Sequence, residues 1–221
     1  GLALAVAEVF AYLARMRGDP VALVAADAAR QVSRPPRSGS EHAETLLTQL
    51  SHLFEELTDT VDTAATRSGA GLLAAGAPAS DLVTLLDRVS IWHRRRSLVV
   101  LITDTAHPDP VLAPRVVDLL RRLSAQHELT VIQIEDDDPL TPGRGRAHDV
   151  ELSGEVPAFL REDRALAARV SQQVLARRAA VTGALDARHI EYVTITDDAS
   201  LVDRIADLLA RQRLASSKRR R

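Results

Sequence analysis

Between Ser97 and Pro110 the chain reads Ser-Leu-Val-Val-Leu-Ile-Thr-Asp-Thr-Ala-His-Pro-Asp-Pro, and this stretch limits the possible folds more than any other. A strand with one wet face alternates polar and apolar residues. An unbroken aliphatic run has both faces covered, as in parallel sheets sandwiched by helices. The run stops at Asp104. In open α/β sheets ligands bind beyond the carboxyl ends of the strands, so an acid there is a candidate for holding a metal ion or a polar ligand. It is equally placed to cap a helix, because a Pro-rich turn leads from it into an apolar periodic segment.

Before this strand, Leu2, Val6, Val9, Leu13 and Met16 recur at helical spacing with Phe10 widening the stripe, which predicts an amphipathic helix ending at Gly18-Asp19-Pro20. Val21 to Ala26 reads as a buried strand, and Ala29 to Ser33 as its antiparallel partner across Asp27-Ala28. Pro35-Pro36-Arg37-Ser38-Gly39 reads as a break. Ser40 opens a helix that turns Leu46, Leu47, Leu50, Leu53 and Phe54 inward. Ser68 to Ala79 is Gly/Ala-rich and reads as a loop. Ser80-Asp81 then caps a helix carrying Leu82, Val83, Leu85, Leu86, Val89 and Ile91 up to His93-Arg94-Arg95-Arg96.

After the central strand the pattern repeats as helix, strand, helix, strand, helix. Val111 to Gln126 is a helix, Leu129 to Ile134 a strand, and the Pro- and Gly-rich stretch Leu140 to Ala158 an irregular connection with a short strand at His148 to Leu152. Leu160, Ala167, Val170, Val174, Val181 and Leu185 mark a long helix, Ile190 to Thr196 the last strand, and Leu201 to Leu209 the closing helix. Strand and helix alternating in this way predict an α/β fold with a doubly wound, mostly parallel sheet and an antiparallel edge hairpin. The domain is expected to span 1–213, with 214–221 a basic tail.

Composition removes several function classes. There is no cysteine, hence no disulfide, thiol nucleophile or cysteine zinc site. Lys218 is the sole lysine, so a phosphate-loop lysine or a Schiff base has no residue inside the fold. The net charge of -2 gives no argument for nucleic acid, and no apolar run reaches membrane-spanning length. The chain begins with Gly rather than Met and is expected to be a piece of a longer protein. Arg94 to Arg96 and Lys218 to Arg221 read as solvated charge runs, and Trp92 as a packing anchor. The seven histidines are scattered without ligand spacing and read as surface or helix-end residues. His107 is the one nearest Asp104.

Four stretches carry a family resemblance: Arg17-Gly18-Asp19-Pro20-Val21-Ala22-Leu23-Val24, then Arg34-Pro35-Pro36-Arg37-Ser38-Gly39, then Arg95 through Ile102-Thr103-Asp104, and finally Leu185 through Thr196-Asp197-Asp198 to Arg211. Together they resemble a von Willebrand factor A-like domain of the bacterial family of unknown function often encoded beside MoxR-type AAA+ ATPases. The resemblance implies a Rossmann-like three-layer fold entered after its first strand, so that the chain would be N-terminally truncated. It also implies a metal-ion-dependent adhesion site: an Asp-x-Ser-x-Ser motif after the first strand, a Thr from a second loop and an Asp after the fourth strand. Asp104 matches the third element, and Ser80 in Ala79-Ser80-Asp81-Leu82 stands where the family has Thr-Asp-Leu. The first element has no counterpart and would lie just before Gly1. Mg²⁺ would be the cofactor of the complete site; with two protein ligands it is expected to be absent or weakly held in this chain.

The leading expectation is therefore a non-enzymatic protein-interaction or scaffolding module with a MoxR-type AAA+ ATPase as partner. The same resemblance implies a cytoplasmic domain whose parent protein is membrane-anchored through an upstream helix. The alternative is a metal-dependent phosphoryl-transfer or hydrolytic enzyme, suggested by acids at three strand ends: Asp104, Glu135 to Asp138, and Asp197-Asp198. No phosphate loop, Gly-x-Ser-x-Gly elbow or His-Glu-x-x-His helix accompanies them, and Gly143-x-Gly145 does not join a strand to a helix.

Overall fold

A computed structural model describes residues 1–67, 80–92, 95–110, 113–135, 148–149, 154–155 and 164–218. The chain opens with helix α1 (Leu2–Arg17), closed by Gly18 at φ 70, a left-handed conformation that a glycine adopts without a Cβ penalty. A hairpin of β1 (Val21–Ala26) and β2 (Gln31–Arg37) follows, then α2 (Ser40–Arg67) and α3 (Leu82–Trp92). Next come β3 (Leu98–Asp104), α4 (Pro114–Gln126) and β4 (Glu128–Ile134). The short pair β5 (His148–Asp149) and β6 (Gly154–Glu155) precedes α5 (Arg164–Asp186), β7 (Glu191–Ile195) and α6 (Asp198–Lys218).

Strands β3, β4 and β7 form a parallel sheet in that order. Alternate residues of each strand point to opposite faces, and helices cover both. On one face Leu101, Leu129 and Val131 pack with Leu86 of α3, Leu120 and Leu123 of α4, and Val181 and Leu185 of α5. On the other, Ile132 and Ile195 pack with Val6 of α1 and with Leu201, Ile205 and Leu208 of α6, while Val100 and Ile102 lie against the same cluster. This is the three-layer α/β arrangement that the unbroken run at β3 requires. Strand β4, paired on both sides, is buried over its central five residues; β3, paired on one side among the described residues, is mostly half-buried. A buried polar pair ties α6 to the central strand, with Gln212 Nε2 donating to Thr130 Oγ1 at 2.7 Å.

The hairpin departs from expectation in two ways. Its turn is longer than two residues: Asp27 Oδ1 accepts from the backbone N–H of Ala29 (2.8 Å) and Arg30 (2.6 Å), so β2 starts at Gln31 instead of Ala29. Asparagine and aspartate favour turns through just such bonds. Pro35 and Pro36 lie within β2 rather than breaking it. Pairing runs from Leu23↔Arg34 to Val21↔Arg37, so β2 carries one extra residue there, a bulge. Proline lacks the N–H that a ladder uses and is accommodated at a bulge on an outer strand. The hairpin is also a two-stranded sheet of its own, where an edge of the main sheet was expected.

Other boundaries shift for local reasons. Helix α4 begins at Pro114, not Val111, with the proline in the first turn where its missing N–H costs nothing. Helix α6 runs on to Lys218, into the stretch expected to be a tail. Met16, Phe54 and Val174, expected to face inward, are 67%, 37% and 44% exposed. His127, expected at a surface or helix end, is the C-cap of α4 and is buried. The expected loop Ser68 to Ala79 lies outside the described residues, as do His93 and Arg94.

Two acids cap helices. Asp81 Oδ1 accepts from Thr84 N at 2.9 Å at the start of α3, and Asp197 Oδ1 from Ser200 N at 2.8 Å at the start of α6. Each satisfies an amide that the helix itself leaves unpaired. Asp81→Ala is expected to lower stability by about 1 kcal/mol in urea unfolding, with Asn recovering most of it, and Asp197→Ala should act in the same direction.

Candidate functional site

The carboxyl ends of β3 and β4 gather the polar groups that the sequence scatters. Asp104 ends β3 and its carboxylate folds back onto the following turn. Its Oδ1 accepts from Ala106 N at 2.7 Å, and both carboxylate oxygens lie 2.9 Å from His107 Nδ1. With Asp104 ionised, Nδ1 is the nitrogen that carries the proton.

The turn is held from behind. Gln133 on β4, buried at 2% exposure, donates from Nε2 to the His107 carbonyl at 3.1 Å. Two residues on, Asp109 is 4% exposed, and its Oδ2 sits 2.7 Å from Arg177 Nε on α5. The next residue of α5, Arg178, pairs with Glu135 just past the end of β4. Thus α5 is fastened to the carboxyl-end loops of both β3 and β4 by adjacent arginines. Buried carboxylates need such partners, since an unpaired charge away from water is costly.

Burial alone would raise the Asp104 carboxyl pKa. The hydrogen bond and charge of His107 and the amides of Ala106 and His107 outweigh that, and the group lies below the usual aspartate range. Asp81 is lowered by its hydrogen bonds to Thr84, and Asp197 chiefly by the Ser200 amide and the Thr196 hydroxyl. A carboxyl group whose folded pKa is depressed adds stability that is complete above the unfolded value and is lost as the pH falls through the folded one. Stability should therefore be flat near neutrality and decline below about pH 4. Urea midpoints measured down the pH scale check this, and Asp104→Asn should make the decline shallower.

Of the expected site residues, Asp104 meets His107, and Ser80 is tied to Asp27. Ser80 is exposed and forms an isolated antiparallel bridge with Asp27; among the described residues no hydrogen bond joins it to Asp104. A Mg²⁺ site requires several converging oxygens. No group of three or more His, Asp or Glu placed to hold a metal occurs among the described residues, and the Asp104 oxygens face an N–H donor. The donors described here do not fit a cation in this arrangement. Of the other strand-end acids, Glu135 is paired and Asp197 is a cap, while Asp136 to Asp138 lie outside the described residues.

A family model described as "Protein of unknown function DUF58" matches residues 1–180. The chain belongs to the DUF58 family. Neither the curated proteins nor the solved structures compared with it gave a match. The DUF58 match takes in β3, β4, the Asp104 turn, Arg177 and Arg178, and stops within α5. No helix among the described residues is long and apolar enough to cross a membrane.

Nothing local in the sequence singles out Asp109, Gln133 or Arg177, and His107 reads there as the surface or helix-end histidine nearest Asp104. His107 was findable in principle, as an Asp-x-x-His spacing in a turn. Asp109 and Arg177 stand 68 positions apart and share no local pattern. A surface hollow of about 440 Å³ lies at the other end of the sheet, beside Asp186, His189, Glu191 and Arg211. There Arg211 donates to Glu191 and to the Tyr192 carbonyl, so the hollow is lined by groups already engaged with each other.

Proposed function

We propose that this DUF58 chain is a non-enzymatic protein-interaction module of the von Willebrand factor A type, which docks a partner on the face formed by the carboxyl ends of β3 and β4. The observation that carries this reading is the construction of the Asp104–Pro110 turn. It is fixed by Gln133 and by Arg177 from two different elements, as a recognition surface must be if binding is not to cost ordering entropy. Of the acids suggested as catalytic at the ends of β4 and β7, Glu135 is engaged in an ion pair and Asp197 in a helix cap. Support for the A-type assignment comes from the four sequence stretches above and from a parallel sheet with helices on both faces.

On this reading an A-type domain carries a further strand and, after it, an Asp-x-Ser-x-Ser loop. A strand entering beside β3 would give that edge the partner it lacks among the described residues. In a complete A-type site that loop would hold Mg²⁺ together with Ser80 and Asp104; no step of the proposal runs through a metal. The partner is an AAA+ ATPase of the MoxR type, proposed from the resemblance, and the module works in the cytoplasm with any membrane anchor in the parent protein.

The test is a pull-down of the MoxR-type ATPase from the same source by the immobilised chain, with and without Mg²⁺. Retention of the ATPase, lost when Arg177 and Gln133 are replaced by Ala, is the expected result. No retention under either condition removes the partner. Metal-dependent turnover of generic phosphate esters, abolished by Asp104→Asn, would instead favour the enzyme.

A further inference from the structure

We infer that in this chain the His107 N–H occupies the position at Asp104 that a metal ion takes in A-type sites, so that the carboxyl-end face is a cation-independent surface. Three observations converge on it. On the side of the turn the Asp104 carboxylate accepts from Ala106 N at 2.7 Å and lies 2.9 Å from His107 Nδ1 through each oxygen. The imidazole is not a loosely attached neighbour, because the backbone that carries it is gripped at its carbonyl by buried Gln133 and, two residues later, at Asp109 by Arg177. Nor do other acids converge there among the described residues to supply a cation with the several oxygens it needs.

The two occupants compete. A divalent cation binds carboxylate lone pairs, and an N–H donor shared between both oxygens takes up the lone pairs that a cation bridging them would use. Both do the same work for the anion, since each compensates its partial burial. An N–H fixed to the chain does so without a dissociable partner. A carboxylate-bearing partner would then find no coordination shell to complete, and docking on this face would rest on shape and on hydrogen bonds. The inference concerns the chain itself and stands whether or not the AAA+ partner is the right one.

The experiment has two readouts on the full chain. The first is Mn²⁺ titration followed by water-proton relaxation, with thermal unfolding in Mg²⁺ or EDTA alongside. The expected result is no saturable Mn²⁺ binding that Asp104→Asn removes, and the same melting midpoint in Mg²⁺ and EDTA. The second is ¹⁵N NMR of the histidine rings, in which His107 should show a protonated Nδ1 and lose that signature in Asp104→Asn, a readout that needs only wild type if the variant does not fold. Saturable Mn²⁺ binding abolished by Asp104→Asn, a Mg²⁺-dependent midpoint, or a His107 ring protonated only at Nε2 would each overturn the inference. Failure of the pull-down with these results unchanged would overturn the partner and leave the cation-independent turn in place.

Discussion

Ile132→Ala is expected to lower the unfolding free energy by about 2–5 kcal/mol, the usual range for emptying a fully buried aliphatic site. Ile132 is at 0% exposure on the middle strand of the sheet, between Ile195 of β7 and the apolar faces of α1 and α6. A strand flanked on both sides and covered on both faces cannot shift to refill the space, so most of the cavity persists. Urea unfolding followed by circular dichroism measures the loss. An effect no larger than about 1 kcal/mol would mean that this face of the sheet is less tightly covered than described. Leu175→Ala, at a position 63% exposed on α5, is the internal control and should change little.

Arg177→Ala should cost about 2–3 kcal/mol. The loss comes less from the arginine, whose side chain keeps 41% of its exposure, than from Asp109, whose side chain keeps 6% and would lose the guanidinium 2.7 Å away. Arg177→Ala and Asp109→Asn should be non-additive, because each removes the same ion pair. The same change frees α5 from the turn after β3. Amide exchange in the Asp104–Pro110 segment should quicken in Arg177→Ala while the core of β4 stays protected. Additive losses, or exchange that quickens everywhere alike, would show that the pair does not fasten these two elements.

The layered α/β frame was legible because its cause is local and strong. The run Leu98–Ile102 lacks the alternation of a half-wet sheet, Leu129–Ile134 and Ile190–Thr196 are short stretches rich in Val and Ile, and a segment of helical period comes after each. The caps were legible for the same reason, since Asp81 and Asp197 act on amides only three residues away. Local rules misled where tertiary placement decides the outcome. Pro35-Pro36 signals a break to any window of sequence, yet a bulge on an outer strand needs no N–H from either. Met16 and Val174 fit the period of their helices, yet each stays exposed, because period alone does not say which turns of a helix meet the core.

The site was half legible. A carboxylate after an unbroken strand is visible in the sequence, and Asp104 is where that logic put it. Its partner was not visible as such, because whether His107 turns back to Asp104 depends on Gln133 and Arg177 holding the turn, and both come from distant segments. Ser80 was placed by resemblance alone, and the bridge to Asp27 is what the structure gives it.

Whether the carboxyl-end face of β3 and β4 is a docking surface is read by hydrogen–deuterium exchange of the chain with and without the MoxR-type ATPase. New protection is expected to concentrate in Asp104–Pro110 and at Glu135, with no change when Mg²⁺ is replaced by EDTA. Protection confined to the opposite end of the sheet, around His189 and Tyr192, or none at all, would contradict it.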